Sequence, residues 1–281
     1  MTTPMFSLGV FPPKRNAPVG TIYDTLDGLE GLKPDFISVT YGHGTASDRT
    51  ATARIAHTIR TEYGIPTVAH LTALYSDHEV IDHALEMFDE AGVQAVLALR
   101  GDYLPDQEPV GAFPHASDLV AYIREKRPNL KIFGACYPEG HYQAESLDED
   151  IANLKKKVDA GASHLISQLF YDDDDFYRFL DKARAAGIDV PIEAGIMPVR
   201  GAKSVRRMAE RNASRIPAKL NRILDKWADN PEALRAAGIN YASDQITDLV
   251  AHGVDGIHLY TMNHPGGTRR IWQNVGCLFT R

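Results

Sequence analysis

Short apolar runs, rich in β-branched and aromatic residues and showing little alternation, recur along this chain at Met5–Phe11, Asp35–Tyr41, Pro66–Leu71, Gln94–Leu99, Lys131–Tyr137, Ser163–Phe170, Val190–Ile196 and Gly256–Tyr260. Continuous rather than alternating runs predict parallel strands covered on both faces. Between them hydrophobic positions repeat at helical spacing, as in Val80, Ile81, Ala84, Leu85 and Phe88, or in Ile151, Leu154 and Val158. In "DEAGVQAVLAL", "VDAGASHLISQ", "ARAAGIDVPIEA" and "VAHGVDGIHLY" a glycine ends a helix and a strand follows within a few residues. This repeated βα order predicts an α/β protein of the (β/α)8 TIM barrel type rather than an open sheet. The stretch from Ala202 to His252 is almost wholly helical in pattern, which predicts extra helices between the seventh and eighth strands. No Pro/Gly/Ser-rich linker divides the chain, and 281 residues suit one barrel domain spanning 1–281, since such barrels typically run to about 250 residues.

Composition narrows the partners. With 44% hydrophobic and 24% charged residues the chain can bury a large core without metals or disulfides. A net charge of −7 gives no electrostatic reason to bind nucleic acid or an anionic membrane, so small molecules are the expected partners. No apolar run approaches the ~20 residues needed to cross a bilayer. Only Cys136 and Cys277 occur, and no basic, apolar and small-residue leader opens the chain, which points to the cytoplasm. The dense acidic run "YDDDDFYRFL" reads as a solvated helix start whose carboxylates complement the helix dipole.

A barrel of this kind carries its chemistry at the C-terminal ends of the strands. Those ends bring together Thr40, His70, Thr72, Arg100, Asp102, Glu139, His141, Gln168 and Asn263. Singly each has a structural reading: His70 as a satisfied barrel residue, Arg100 and Asp102 as an ion pair across the rim. Six or more such groups together point to a ligand site. On the helix after strand five, Asp150, Asn153 and Lys157 stand at i, i+3 and i+7, beside the apolar face of Ile151, Leu154 and Val158. That polar stripe either touches a ligand or is simply solvated. There is no G-x-G-x-x-G after a strand, no P-loop, no H-E-x-x-H or C-x-x-C, and no G-x-S-x-G elbow.

In order along the chain stand "VFPPK", "LKPDFISVTYG", "AHLT", "ALRGD", "ASDLV", "YPEGH", "LKKKVDAGA", "ISQLFYD" and "AGIMPV". Together these motifs resemble the catalytic barrel of methylenetetrahydrofolate reductases, in the compact bacterial form, over about Phe6 to Asn263. The resemblance implies noncovalent FAD, NADH or NADPH as co-substrate, alternating use of one site by nicotinamide and folate, and an assembly of several copies. It also implies that Thr40, Tyr41, His70, Arg100, Gly101, Asp102, Ala116, Tyr137, His141, Asp150, Asn153, Lys156 and Lys157 surround FAD. Asp102 would sit near the flavin ring and the folate pterin, and Gln168 would hydrogen-bond whichever substrate lies there. Ser204 and His264 would occupy substrate-binding positions, standing near where the family has Gln and Arg.

One departure concerns catalysis directly. The family carries a glutamate two residues before the Phe of "FPP", as general acid for opening the folate's imidazolidine ring; here that position is Gly9. General acid catalysis is typically worth ~10²–10⁴ in rate. Three readings stay open: an inactivating change in a working reductase, a natural variant in which water or a nearby acid such as Glu139 donates the proton, or a barrel that only binds flavin or folate. A flavin oxidoreductase acting on another amine is a further alternative.

Overall fold

A computed structural model describes residues 3–12, 20–41 and 49–280. Its strands are β1 (Met5–Val10), β2 (Phe36–Val39), β3 (Thr67–Thr72), β4 (Ala95–Leu99), β5 (Lys131–Cys136), β6 (His164–Ser167), β7 (Ile192–Ile196) and β8 (Gly256–Tyr260). They follow one another in chain order round a closed barrel. Paired strands run parallel, as β1 with β2 and β7 with β8. Each strand falls within the apolar run that predicted it, except that β3 extends one residue past its run to Thr72. Pro13 and Lys14 of the first motif and Gly42 of the second lie outside the described residues.

Single helices follow the first six strands: α1 (Gly20–Leu29), α2 (Arg49–Glu62), α3 (His78–Glu90), α4 (Ala116–Lys126), α5 (Leu147–Asp159) and α6 (Asp173–Ala185). After β7 come α7 (Ala202–Asn212), α8 (Ala218–Lys226) and α9 (Pro231–His252), the extra helices expected there, and α10 (Pro265–Val275) follows β8. Local chemistry sets the helix ends. The Asp77 carboxylate accepts the Val80 N–H at 2.9 Å to start α3, and Asn230 accepts the Ala233 N–H at 3.0 Å to start α9, with Pro231 in its first turn. Gly92, Gly161, Gly187 and Gly253 all take positive φ just past a helix, the conformation that a side chain disfavours and that stops the helix.

Packing resolves into two compact units. One comprises Met1–Phe6, Cys136–Lys155 and Ile166–Arg281, the other Ser7–Ala135 and Lys156–Leu165. In the second, Phe133 meets Phe36 edge-on at 5.4 Å and stacks on His164 at 4.3 Å. In the first, the three helices after β7 close over a core of Leu169, Met197, Val199, Val205, Ala209, Leu220, Leu224, Leu234 and Tyr241. Helix α9 comes so near the end of β7 that a Cβ on Gly238 would lie 2.2 Å from the Val199 carbonyl oxygen.

That contact makes a normally favourable change unfavourable. Replacing a helical glycine by alanine should gain about 1 kcal/mol of helix propensity, but at Gly238 the methyl group would push α9 off Val199, and such overpacking costs about 1–3 kcal/mol. Gly238→Ala is expected to lower the thermal midpoint by a few degrees. A raised midpoint would mean that α9 approaches less closely.

Candidate active site

In the unit of Ser7–Ala135 and Lys156–Leu165, four strand ends carry polar groups. Gly9 is the penultimate residue of β1, buried and in register with the buried Ser38 of β2. Thr40 is fixed through its backbone: its N–H donates to the Val10 carbonyl at 3.0 Å, and its carbonyl accepts the Thr52 hydroxyl at 3.1 Å. Tyr41 beside it is buried.

His70, on β3, is buried, and burial pulls its pKa down to about 3, so the imidazole is neutral at physiological pH. Just past the neighbouring β4, Arg100 lies over the Tyr103 ring at 5.0 Å while its Nε donates to the Gly101 carbonyl at 3.3 Å. His70 Nε2 and Arg100 Nη2 are both buried and meet no hydrogen-bond partner among the described residues. Leaving a buried donor unmade costs about 1–3 kcal/mol, more for a charged group, so two such atoms on adjacent strand segments make this a candidate place for a polar ligand. Gly101 bends the chain there with φ +96°, and Asp102 follows, exposed. Ala116 opens α4, whose first turn is closed by Asp118 accepting the His115 N–H at 2.8 Å. On α5, Lys156 is exposed, whereas Lys157 lies against β5: its Nζ donates to the Ala135 carbonyl at 2.6 Å. Its stem crosses the spot where a Cβ on Gly134 would stand, 2.8 Å from Lys157 Cδ, so this glycine makes room for the lysine.

The other unit holds the remaining predicted residues. Gln168 follows β6, with its N–H on the Cys136 carbonyl at 2.7 Å and its side-chain oxygen accepting the Leu169 N–H at 2.9 Å. With the oxygen so engaged, the amide presents its NH₂ group outward as a donor. The strand end beneath it is tied by Ser167, whose Oγ accepts the Gly195 N–H at 2.8 Å and whose carbonyl accepts the Tyr260 hydroxyl at 2.8 Å. Neither Ser167 nor Tyr260 was anticipated from sequence. The one available signal was the small pair Ser167 and Gly195, where an added Cβ would lie 2.2 Å from the Ser167 carbonyl oxygen.

Tyr137, His141 and Tyr142 form a ladder of rings. The His141 imidazole meets Tyr137 edge-on at 4.7 Å and stacks on Tyr142 at 4.6 Å. Because His141 Nδ1 accepts the Gln143 N–H at 3.2 Å, the neutral ring carries its proton on Nε2. Asp150 is half-buried and Asn153 exposed on α5. Ser204 turns its hydroxyl back to the Gly201 carbonyl at 2.8 Å, and His264 stands as the N-cap residue of α10.

One expectation about carboxylates changes. Glu139 keeps its place beside the barrel mouth: its Oε1 accepts the Arg215 N–H at 2.6 Å, in the turn between α7 and α8, burial raises its pKa, and its Oε2 meets no hydrogen-bond partner among the described residues. The acidic run at α6 is only partly a solvated start. Asp172 caps the helix and Asp174 is exposed, but Asp175 is buried and paired with Arg178 and Arg215. Two guanidinium groups meeting one carboxylate repay its desolvation, and nothing in the local sequence signalled Arg215, forty residues away. Among the described residues no group of three His, Cys, Asp or Glu could hold a metal ion, and no described helix is long and apolar enough to cross a membrane.

Comparison with known proteins places this geometry. Residues 1–276 match the sequence profile of the family described as methylenetetrahydrofolate reductase. The chain is 39% identical to methylenetetrahydrofolate reductase (NADH) 1 of Arabidopsis thaliana over 97% of its own length and 48% of that protein's. Identity to 5,10-methylenetetrahydrofolate reductase of Escherichia coli K12 is 35%, covering 96% of this chain and 90% of the bacterial one. It therefore spans about half the length of the plant relatives and most of the bacterial enzyme. Among solved structures, the fold is similar to that of a Clostridium thermocellum protein reported to bind two copies of 5-methyl-5,6,7,8-tetrahydrofolic acid, with TM-score 0.67 and 14% identity over 99% of this chain and 96% of that one. It is also similar to that of a Coxiella burnetii dihydropteroate synthase, with TM-score 0.56 and 12% identity over 99% of this chain and 94% of that one. At these identities the likeness concerns the fold.

The acidic helix start makes stability depend on pH. Burial lifts Asp173 to about 7, neighbouring Asp248, Asp172 and Asp174 adding to the rise and the Gln245 hydrogen bond opposing it. A carboxyl whose folded pKa lies above its unfolded value of about 4 binds its proton more tightly when folded. Its contribution is therefore favourable below that value and is lost as pH climbs toward 7. Asp173→Asn keeps an acceptor for the Gln245 amide and removes this loss. Urea midpoints taken at pH 5 and pH 8 should fall less in the variant than in the parent; equal falls would show Asp173 titrating in the ordinary range.

Proposed function

The chain belongs to the methylenetetrahydrofolate reductase family, and on that footing we propose that it is a flavin-dependent oxidoreductase using NADH or NADPH to reduce 5,10-methylenetetrahydrofolate to 5-methyltetrahydrofolate. The observation that carries the flavin reading is the pair of buried nitrogens without a partner among the described residues, His70 Nε2 inside β3 and Arg100 Nη2 just past the neighbouring β4. FAD offers the polar oxygens and nitrogens that such donors require, so the residues present fit the group. When bound, it supplies two-electron chemistry, taking hydride from the nicotinamide and delivering it to the folate.

The chain's own residues then have distinct tasks. Thr40, Tyr41, His70, Arg100, Gly101, Ala116, Lys156 and Lys157 in one unit, and Tyr137, His141, Asp150 and Asn153 in the other, are the proposed FAD ligands. Arg100 and Lys157 bring cations suited to a pyrophosphate, and His141 brings an Nε2–H donor. Asp102 is proposed to set the electrostatics at the flavin ring and to contact the pterin. Gln168 offers its NH₂ group to an acceptor on the substrate, and Ser204 and His264 complete the substrate side. The naming of the Clostridium thermocellum protein for bound methyltetrahydrofolate supports folate as a ligand of this fold. We further propose a cytoplasmic assembly of several copies.

Gly9 favours a second reading. If no other group donates the proton, the chain binds flavin and folate and oxidises NAD(P)H but is slow in the folate half of the reaction. Glu139 is the alternative donor: burial raises its pKa and leaves its Oε2 without a partner among the described residues, while the Arg215 N–H holds Oε1. The deciding experiment is to purify the protein, measure FAD content, and follow NAD(P)H oxidation and 5-methyltetrahydrofolate formation separately under anaerobic conditions. A protein that retains no flavin would overturn both readings.

Two variants sharpen this. Arg100→Gln removes a buried charge whose loss from a ligand contact costs about 2–5 kcal/mol, so FAD affinity should fall at least tenfold, read as free FAD fluorescence during dilution; unchanged affinity would remove Arg100 from the flavin. Gly9→Glu should raise methyltetrahydrofolate formation by at least the lower end of the ~10²–10⁴ range while altering NAD(P)H oxidation little. Equal folate rates in parent and variant would show that another group supplies the proton.

A further inference from the structure

At the N-terminal ends of β3 and β4, opposite the ends that lead to Thr72 and Arg100, the chain keeps a second cavity. It measures about 280 Å³ and lies between the last turn of α2 and the turns that enter the two strands. That is just under the ~300–1,000 Å³ of ordinary small-molecule pockets, so its occupant is compact. Ile65 and Pro66 supply apolar wall. Three polar side chains line it with them: Arg60 from α2, Thr67 as the first residue of β3, and Gln94 immediately before β4.

None of the three is consumed by the protein. Thr67 is buried, at 4% exposure, yet its Oγ1 meets no hydrogen-bond partner among the described residues. The exposed side chains of Arg60 and Gln94 also make no hydrogen bond or ion pair among the described residues. Arg60 is nonetheless laid over the cavity: a Cβ on Gly92 would stand 2.9 Å from Arg60 Cζ, so the guanidinium fills the space that a side chain there would take. Two other helices show what such an arginine does when it serves structure alone. In the last turns of α4 and α6, Arg124 and Arg184 donate to the carbonyls four and six residues on, at Pro128 and Leu130 and at Ile188 and Val190. The corresponding carbonyls for Arg60 belong to Gly64 and Pro66, and it donates to neither.

We propose that this cavity binds a compact oxyanion, the phosphate or carboxylate group of a small molecule, with Arg60 as the charged contact and Thr67 and Gln94 as hydrogen-bonding ones. No carboxylate is among the lining residues, and the Pro66 and Gln94 carbonyls already accept the Ile37 and Lys131 N–H groups at 2.9 and 3.2 Å. A cation would therefore find no counter-charge. An oxyanion finds a planar guanidinium fork, an amide NH₂ and a hydroxyl, all donors. The cavity opens on strands paired from Val68 opposite Ala95 to Thr72 opposite Leu99, so an occupant braces β3 against β4 from the end remote from His70 and Arg100.

The test titrates the purified protein with inorganic phosphate and separately with malonate, against sodium chloride at matched ionic strength, reading backbone amide NMR shifts and the thermal midpoint. At least one of the two anions should give saturable shifts at the Gly64, Gly92 and Gln94 amides and a rising midpoint, since a ligand of the folded state stabilises it by mass action. A response to phosphate alone would assign the site to phosphate esters, and one to malonate alone to carboxylates. Arg60→Gln should weaken the affinity about tenfold. Thr67→Val replaces the unpartnered hydroxyl by a methyl group, so it should weaken binding severalfold while leaving the ligand-free midpoint unchanged or raised. Absence of a saturable response beyond that to chloride, or a response that persists in full in both variants, would overturn the proposal. So would Arg60→Gln lowering the ligand-free midpoint with the anion response intact, which would make Arg60 a structural clamp like Arg124 and Arg184.

Discussion

A parallel strand covered on both faces has no solvent side, so a polar atom on it must be hydrogen-bonded or must sit where the strand ends. This constraint organises the molecule. β2 and β7 are buried at every residue. Within the chain's interior, polar groups are consumed: Ser167 takes the Gly195 N–H and the Tyr260 hydroxyl on two different atoms. Toward the strand ends that pressure relaxes: His70, inside β3, and Arg100, just past β4, keep buried nitrogens that no described residue meets. An enzyme of this architecture can therefore hold reactive or binding groups at one end without compromising its core, because the core never has to solvate them.

The same constraint explains why the fold was legible in the sequence. Two-face burial demands continuous apolar runs, and the runs at Pro66–Leu71 and Gln94–Leu99 contain β3 and β4 almost residue for residue. Helix ends were legible where a glycine had to adopt positive φ, as at Gly92 and Gly253. Helix α9 was recognised as helical but not as a packing element. Gly238 in its middle reads as a weakness by propensity, yet it is the residue that lets the helix rest on Val199. Propensity is local, whereas the reason for that glycine lies on a strand end forty residues earlier.

Within the candidate site, residue types at strand ends were readable and their partners were not. Arg100 and Tyr137 directly follow β4 and β5, whereas His70 lies inside β3; the tautomer of His141 follows from the Gln143 backbone, and the donor face of Gln168 follows from the Leu169 N–H. Both are consequences of loop geometry that spacing does not encode. The acidic run at α6 looked solvated because four successive aspartates rarely share a buried environment. Asp175 is the exception because Arg178 and Arg215 converge on it from different elements. Lys157 is half-buried against β5 while Asn153, of the same predicted stripe, is exposed, and its hold on the Ala135 carbonyl has room because of Gly134, a glycine with no turn signature.

The arginines sort themselves by the same electrostatic criterion. Arg127 is held by Asp89, Arg184 by Asp255, Arg206 by Asp225 and Arg215 by Asp172 and Asp175, each bridging two elements with its charge neutralised on the spot. Arg124 is satisfied differently, by the Pro128, Leu130 and Gly161 carbonyls. Arg100 and Arg200 follow strand ends and have no such partner among the described residues. The protein carries 37 acidic residues against 30 basic ones, so it does not lack carboxylates with which to neutralise them. In the proposed function the positive potential at Arg100 serves an anionic ligand, whose binding would relieve the electrostatic cost carried by the free protein.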